Sequence, residues 1–365
     1  MIKVLMIVHE MNRGGIENFI MNLFRTIDRE KIQFDFVEHT NKKCAFDDEI
    51  ESLGGKIYHC PDYRVINHFE YSKWWNSFFK EHNEYKVIHS HLDSSANIHL
   101  RIAKKYGLIT IAHSHNTQEG VGVRAIVKKS LKVGFNDCCD YKFGCSKAAN
   151  NWLYGGKSKD TVVIRNGIIS SNYHFDLDKR NQFVAEFNIE NKTVIGSVAR
   201  FCHQKNHIFM IDIIYEYLKI NPNSVLILVG DGELKQEIVD RIQKYKIQDS
   251  VIFTGVRSDV PDVLNVFDLF LMPSFHEGLP VSVIEAQASG LKCLLSDTIS
   301  KEVDITGNVE FMSLGNSPRE WAEKIKTMLP YKRENTKQKI IESGYDIKTT
   351  ADYLTKFYLQ LSEQK

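Results

Sequence analysis

The sequence predicts an α/β protein built from two doubly wound parallel-sheet units in tandem. Three observations carry the prediction. Short β-rich runs alternate with longer stretches of helical spacing, the pattern of parallel strands wrapped by helices. The alternation breaks into polar, irregular text between about Ile169 and Asn191 and then restarts. A chain of 365 residues is too long for one ordinary core and fills two.

In the first unit, residues 1–168, strands are expected at Lys3–Val8, Gln33–Val37, Lys56–His59, Lys86–His89, Thr110–His113, Tyr141–Gly144 and Thr161–Ile164. Helical spacing at Glu17–Ile27 and Tyr71–Phe79 falls between them. The second unit, residues 169–348, opens on the linker-like text. It continues with strands at Thr193–Val198, Val225–Val229, Ser250–Thr254, Leu269–Met272 and Lys292–Leu295. A last helical segment, about 349–365, is expected to pack back on the first unit. Such sheets hold ligands beyond the C-terminal ends of their strands, and with two units facing each other that place is the cleft.

Composition narrows the class. Hydrophobic residues make up 43% and charged residues 25%, which excludes wholesale disorder. The net charge of +1 gives no support to nucleic-acid binding, although the first 168 residues carry +5 and the remainder −4. The seven cysteines are scattered without a Cys-x-x-Cys pair, which suits a reducing, cytoplasmic setting and neither a zinc site nor a disulfide framework. Met1–Val8 is closed by His9 and Glu10, so it reads as a strand and not as a signal peptide. No apolar stretch is long enough to cross a bilayer.

Chemistry-bearing stretches fall at strand ends. Asn12-Arg13-Gly14-Gly15-Ile16-Glu17 follows the first strand and opens a helix. Paired glycines let the backbone approach a ligand, and a helix N-terminus offers free N–H groups to an anion; a plain strand-to-helix turn would look the same. The dinucleotide fingerprint is excluded, because its third glycine and its closing acidic residue are missing. Arg200 and Lys205 stand at the matching point of the second unit, where two cations can converge on a diphosphate or simply be solvated. Gly230-Asp231-Gly232 ends the next strand as ordinary turn punctuation. At Phe253-Thr254-Gly255-Val256, backbone groups could hold a flat base.

The stretch from Pro273 to Gly290 says most. A strand stops at Pro273, and Pro280 suits the first turn of a helix that ends near Gly290. Gly278 and Leu279 can then present N–H groups to a phosphate or sugar. Glu277 lies just before the helix and Glu285 within it, and each carboxylate can accept paired hydrogen bonds from vicinal hydroxyls. A lone glutamate would read as a cap or a surface charge; two at this spacing around Gly-Leu-Pro do not.

From Glu277 to Glu285 the chain resembles the Glu-x-x-x-x-x-x-x-Glu motif of retaining GT-B glycosyltransferases of the family 4 type. Gly14-Gly15-x-Glu17, Arg200 with Lys205, Gly-Asp-Gly and Phe-x-Gly follow in that family's order, and the resemblance spans nearly the whole chain. His113-Ser114-His115-Asn116 and Cys145-Ser146-Lys147 are similar to enzymes of exopolysaccharide and capsule assembly.

The resemblance implies a GT-B fold and a site assembled as follows. Arg200 and Lys205 contact the diphosphate, Glu285 the ribose and Glu277 the sugar hydroxyls. The N–H groups of Gly278 and Leu279 support sugar or phosphate, and Gly14-Gly15 approaches the diphosphate. One of His113 and His115 faces the sugar near the reacting carbon, His115 being favoured. The donor is a nucleotide-sugar, UDP-linked by family membership, and transfer proceeds with retention without metal or other cofactor. Asp176-Leu177-Asp178 has the form of a metal-binding Asp-x-Asp, but its place in linker text argues against that role.

The acceptor implied is a saccharide or a polyprenyl-linked saccharide. Arg101, Lys104, Lys105, Arg124, Lys128, Lys129 and Lys132 make a basic stretch whose 124–133 part mixes charge with apolar residues at helical spacing. It reads as a contact with the anionic inner membrane face, or as a solvated outer helix. Two rival functions share the architecture: a non-hydrolysing UDP-sugar epimerase, and a non-catalytic nucleotide-sugar-binding subunit.

Overall fold

The computed structural model describes residues 1–116, 129–156 and 160–363. It divides into two compact units, Met1–Ile168 with Gly344–Lys365, and Ile169–Ser343.

The first unit holds strands β1 (Ile2–Val8), β2 (Ile32–Glu38), β3 (Ile57–His59), β4 (Val87–Ser90), β5 (Ile109–Ser114), β6 (Tyr141–Gly144) and β7 (Thr161–Val163). They form one sheet in the order β3-β2-β1-β4-β5-β6-β7, parallel throughout. Parallel strands covered on both faces must be apolar nearly throughout. Accordingly β2 is buried at all seven positions, and Val4 to Ile7 of β1 have no exposed surface. Helix Ile347–Glu363 completes this unit. It packs against helix Gly15–Thr26 and sets the fully buried Tyr358 against Phe34.

The second unit holds β8 (Thr193–Val198), β9 (Ser224–Val229), β10 (Val251–Gly255), β11 (Leu269–Met272), β12 (Cys293–Ser296) and β13 (Val309–Met312), in the order β10-β9-β8-β11-β12-β13 and again parallel. Trp321, Met210 and Ile214 seal one face of this sheet. In each unit the strand order reverses once, between β1 and β4 and between β8 and β11. At such a point the two neighbouring loops diverge and leave a crevice.

Two elements differ from the reading of the sequence. The stretch expected to be an irregular linker contains helix Leu177–Phe187. Asp176 caps it, its carboxylate accepting the N–H groups of Asp178 at 2.9 Å and Lys179 at 3.2 Å. This helix buries only Phe183, so its apolar periodicity is faint. The edge strand β13 was missed because its four residues are only half-buried after Val309. No helix among the described residues is long and apolar enough to cross a membrane.

Candidate active site

In the second unit the crevice lies between the loops after β8 and β11. The loop after β8 turns through Arg200 and ends at Asn206, whose φ of +54° lets helix His207–Ile220 start at once. The loop after β11 runs from Pro273 to Pro280, and helix Val281–Ala288 follows, so Pro280 is the cap residue and not part of the first turn. Several contacts hold the loops together. Gln204 accepts the N–H of Phe275 at 2.9 Å, Asn206 donates to the Pro273 carbonyl at 3.1 Å, and His203 stacks on Phe275 at 4.8 Å.

This pairing brings Lys205 to Glu277. Lys205 Nζ stands 2.7 Å from Glu277 Oε1, with the two side chains 18% and 6% exposed. Gln204 Nε2 donates to Glu277 Oε2 at 3.2 Å, so both carboxylate oxygens are engaged. The N–H groups of Gly278 and Leu279, which follow at the entrance to the helix, make no hydrogen bond among the described residues. A cation, an oriented carboxylate and two available donors thus share one loop edge.

Arg200 is turned elsewhere. Its guanidinium pairs with Glu233 at 3.2 Å, the two side chains being 75% and 55% exposed, so in this state it does not converge with Lys205. Glu233 belongs to the Gly-Asp-Gly turn, and that turn shapes the Arg200 loop. Phe201 donates to the Asp231 carbonyl at 2.9 Å, and Leu234 donates to the Phe201 carbonyl at 3.1 Å. A Cβ at Gly230 would strike the Ala199 carbonyl, and one at Gly232 the Phe201 backbone. These glycines are therefore required by close backbone approach as well as by the turn.

Glu285 lies within the helix and accepts a hydrogen bond from Tyr173 Oη at 2.8 Å. Desolvation raises its carboxyl to about 7, against the opposing Tyr173 hydrogen bond. Gly255 takes φ +72° with open space where a side chain would stand, its carbonyl accepts the Gly230 N–H at 2.9 Å, and Val256 is exposed beside it.

In the first unit Gly14 caps helix Gly15–Thr26, and a Cβ there would strike the Glu17 carboxylate. Burial, with a smaller contribution from Glu10, raises Glu17 to about 7. His113 and His115 stand at the end of β5, stacked 4.2 Å apart, and Phe19 packs edge-on against His113. His113 has no exposed surface while His115 retains 9%, so His115 is the one at the rim. His115 Nε2 is 2.9 Å from His91 Nδ1, and burial lowers His115 to about 3, leaving it a neutral imidazole.

Other motif residues have structural partners. Ser146 caps helix Lys147–Tyr154 by accepting the Ala149 N–H at 3.1 Å. Arg101 binds Asn97 and the Gly134 carbonyl, Lys104 pairs with Asp140 at 2.9 Å, and Lys132 lies 3.6 Å from the Trp152 ring centre. Arg124 and Lys128 lie outside the described residues.

Residues 178–346 match the family described as glycosyl transferases group 1. Over 98% of this chain and 96% of its counterpart, the sequence is 31% identical to the Bacillus subtilis protein named as glycosyltransferase EpsF. The chain belongs to the group 1 glycosyltransferases. This glycosyltransferase is also 27% identical to the capsular polysaccharide biosynthesis glycosyltransferase CapH of Staphylococcus aureus, over 98% of this chain and 99% of that one. Its fold resembles Anabaena HepE, solved in complex with UDP-glucose, with a TM-score of 0.76 and 19% identity over 100% of this chain and 99% of that one. The architecture is GT-B, two Rossmann-like parallel-sheet units.

Sequence reasoning passed over four residues that touch candidate residues within their own unit. Tyr173 was hidden in supposed linker text, Glu233 looked like turn punctuation, and Gln204 carried no motif. His91 had a signal: His89-Ser90-His91 ends β4 as His113-Ser114-His115 ends β5.

Proposed function

We propose that this glycosyltransferase moves a hexose or N-acetylhexosamine, with retention, from a UDP-linked donor to a saccharide or polyprenyl-linked saccharide in surface polysaccharide assembly. The observation that carries the reading is the Lys205–Glu277 pair beside the available N–H groups of Gly278 and Leu279. Breaking a glycosyl–phosphate bond builds negative charge on the departing diphosphate and positive charge on the sugar. Lys205 and the two N–H groups are fixed donors for the first charge, and the Glu277 carboxylate lies where it can bind hydroxyls of a sugar carrying the second.

In this reading Arg200 leaves its exposed partner Glu233 for the diphosphate, which costs little because exposed ion pairs contribute about 0–1 kcal/mol. Glu285 takes the ribose, the backbone at Gly255 and Val256 takes the base, and Gly14-Gly15 approaches the diphosphate. His115 faces the sugar as a neutral hydrogen-bonding group. The leaving phosphate serves as base for the acceptor hydroxyl on the same face. HepE's complex supports UDP, and CapH supports a polysaccharide product.

The test is transfer from UDP-glucose, UDP-galactose and their N-acetyl counterparts to lipid-linked saccharide, in chelator. Product of retained anomeric configuration is expected. Loss of activity restored by magnesium or manganese would overturn metal-free departure, and conversion of donor alone to its 2-epimer would instead select the epimerase. Peripheral binding to the inner membrane face belongs to the same proposal; sedimentation with anionic liposomes at low salt supports it, and no sedimentation rejects it.

A further inference from the structure

The twin His-Ser-His segments place four imidazoles on one face of the first sheet. Residues two apart in a strand share a face, and β4 and β5 are neighbours, so His89, His91, His113 and His115 meet in one layer. His89 and His113 have no exposed surface, and His91 has 5%. Such imidazoles ordinarily have both ring nitrogens satisfied. Here His89 Nε2, His91 Nε2 and both nitrogens of His113 have no hydrogen-bond partner among the described residues. One ring nitrogen from each of the three lies within 4.8 Å of the others.

The opposite nitrogens of two of these rings are already engaged. His89 Nδ1 is 2.7 Å from Tyr358 Oη, and His91 Nδ1 is 2.9 Å from His115 Nε2. That is how a metal-binding histidine is held: one nitrogen faces the ion while the other donates to a fixed partner that sets tautomer and ring orientation.

We propose that His89, His91 and His113 bind a transition-metal dication of the zinc class, with His115 and Tyr358 orienting two of the ligands. Neutral imidazole donors select zinc, copper, nickel or cobalt over magnesium and calcium, which require oxygen ligands. With metal–nitrogen distances of about 2.0–2.1 Å, a tetrahedral site needs ligand nitrogens about 3.4 Å apart. The three rings lie within 12–33° of parallel, so on binding they turn out of their stacks as well as draw together. Three protein ligands leave a fourth position for water. The assignment also separates the two histidines at the end of β5, His113 within it to the metal and His115 just beyond it to the rim. It does not depend on the glycosyl-transfer reading, because it is tested without donor.

Chelator-stripped full-length protein is dialysed against micromolar zinc, with magnesium as the parallel ion, and metal per chain is counted. About one zinc per chain is expected, with a melting temperature that rises with zinc and not with magnesium. His89→Gln with His113→Gln is expected to lower zinc uptake at least tenfold. No stoichiometric uptake, or full uptake by the folded double variant, would overturn the proposal. Should that variant not fold, X-ray absorption on the unaltered zinc-loaded protein decides. Three imidazole nitrogens support the site; a sulfur ligand would move the ion to a cysteine such as Cys44, which lies with Glu38 and Asp47 in another buried cluster.

Discussion

Replacing Lys205 by methionine keeps most of the side chain's volume and leaves the Glu277 carboxylate without its cation. With only 6% of that side chain exposed, water can restore little of the lost solvation. A hydrogen bond to a charged group contributes about 1.5–3 kcal/mol, and stripping one partner from a buried pair costs about 3–5. The remaining bond from Gln204, at 3.2 Å, offsets part of this. Lys205→Met should therefore lose about 2–3 kcal/mol of folding stability. Glu277→Gln should lose less, about 1 kcal/mol, because the ammonium is 18% exposed and can turn to water. The double variant should sit near 1.5 kcal/mol, giving a coupling energy of about 2 kcal/mol. Urea unfolding followed by circular dichroism, with unchanged m-values, measures all four proteins. Additivity to within about 0.5 kcal/mol would refute the pairing, and with it the orientation assigned to Glu277. If the pair also holds the donor, each single variant loses transfer by far more than its stability loss explains.

Three further outcomes follow from the geometry. Glu285 is raised from its ordinary 4.5 to about 7, so its stabilising share is complete below about 4.5 and is lost as pH rises through 7. The loss is on the order of 3 kcal/mol, and Glu285→Gln should flatten that part of the stability–pH curve; an unchanged slope refutes the assignment. Gly232→Ala drives a Cβ into the Phe201 backbone, costing about 1–3 kcal/mol and displacing the Arg200 loop, so donor KM should rise; unaltered stability and KM would show the loop yields freely. Asp176→Ala removes a helix cap worth about 1 kcal/mol and should leave metal dependence untouched; a changed response to manganese would revive the Asp-x-Asp reading.

Most of the two sheets was legible because parallel strands buried on both faces are written as short apolar runs. Tyr141–Gly144, Thr193–Val198 and Leu269–Met272 needed nothing beyond that pattern. Helix Leu177–Phe187 escaped because it buries one side chain, and β13 because an edge strand is half solvated. The site divides the same way. Glu277 and Lys205 sit in local motifs, but their contact spans 72 residues and depends on β8 lying next to β11. The Arg200–Glu233 pair, the hold of Tyr173 on Glu285 and the four-histidine layer are likewise products of strand order, which no local spacing states.

The return of helix Ile347–Glu363 to the first unit has a consequence for synthesis. Residues 1–168 leave the ribosome long before the helix that covers Phe34 and reaches His89. The second unit, contiguous in sequence, can close its core while the first still lacks a wall. A nascent chain halted before Gly344 should thus expose apolar surface beside β1 and β2 and lean on chaperones. Emergence of helix Ile347–Glu363, and not completion of either sheet, becomes the step that commits the first unit to its native state.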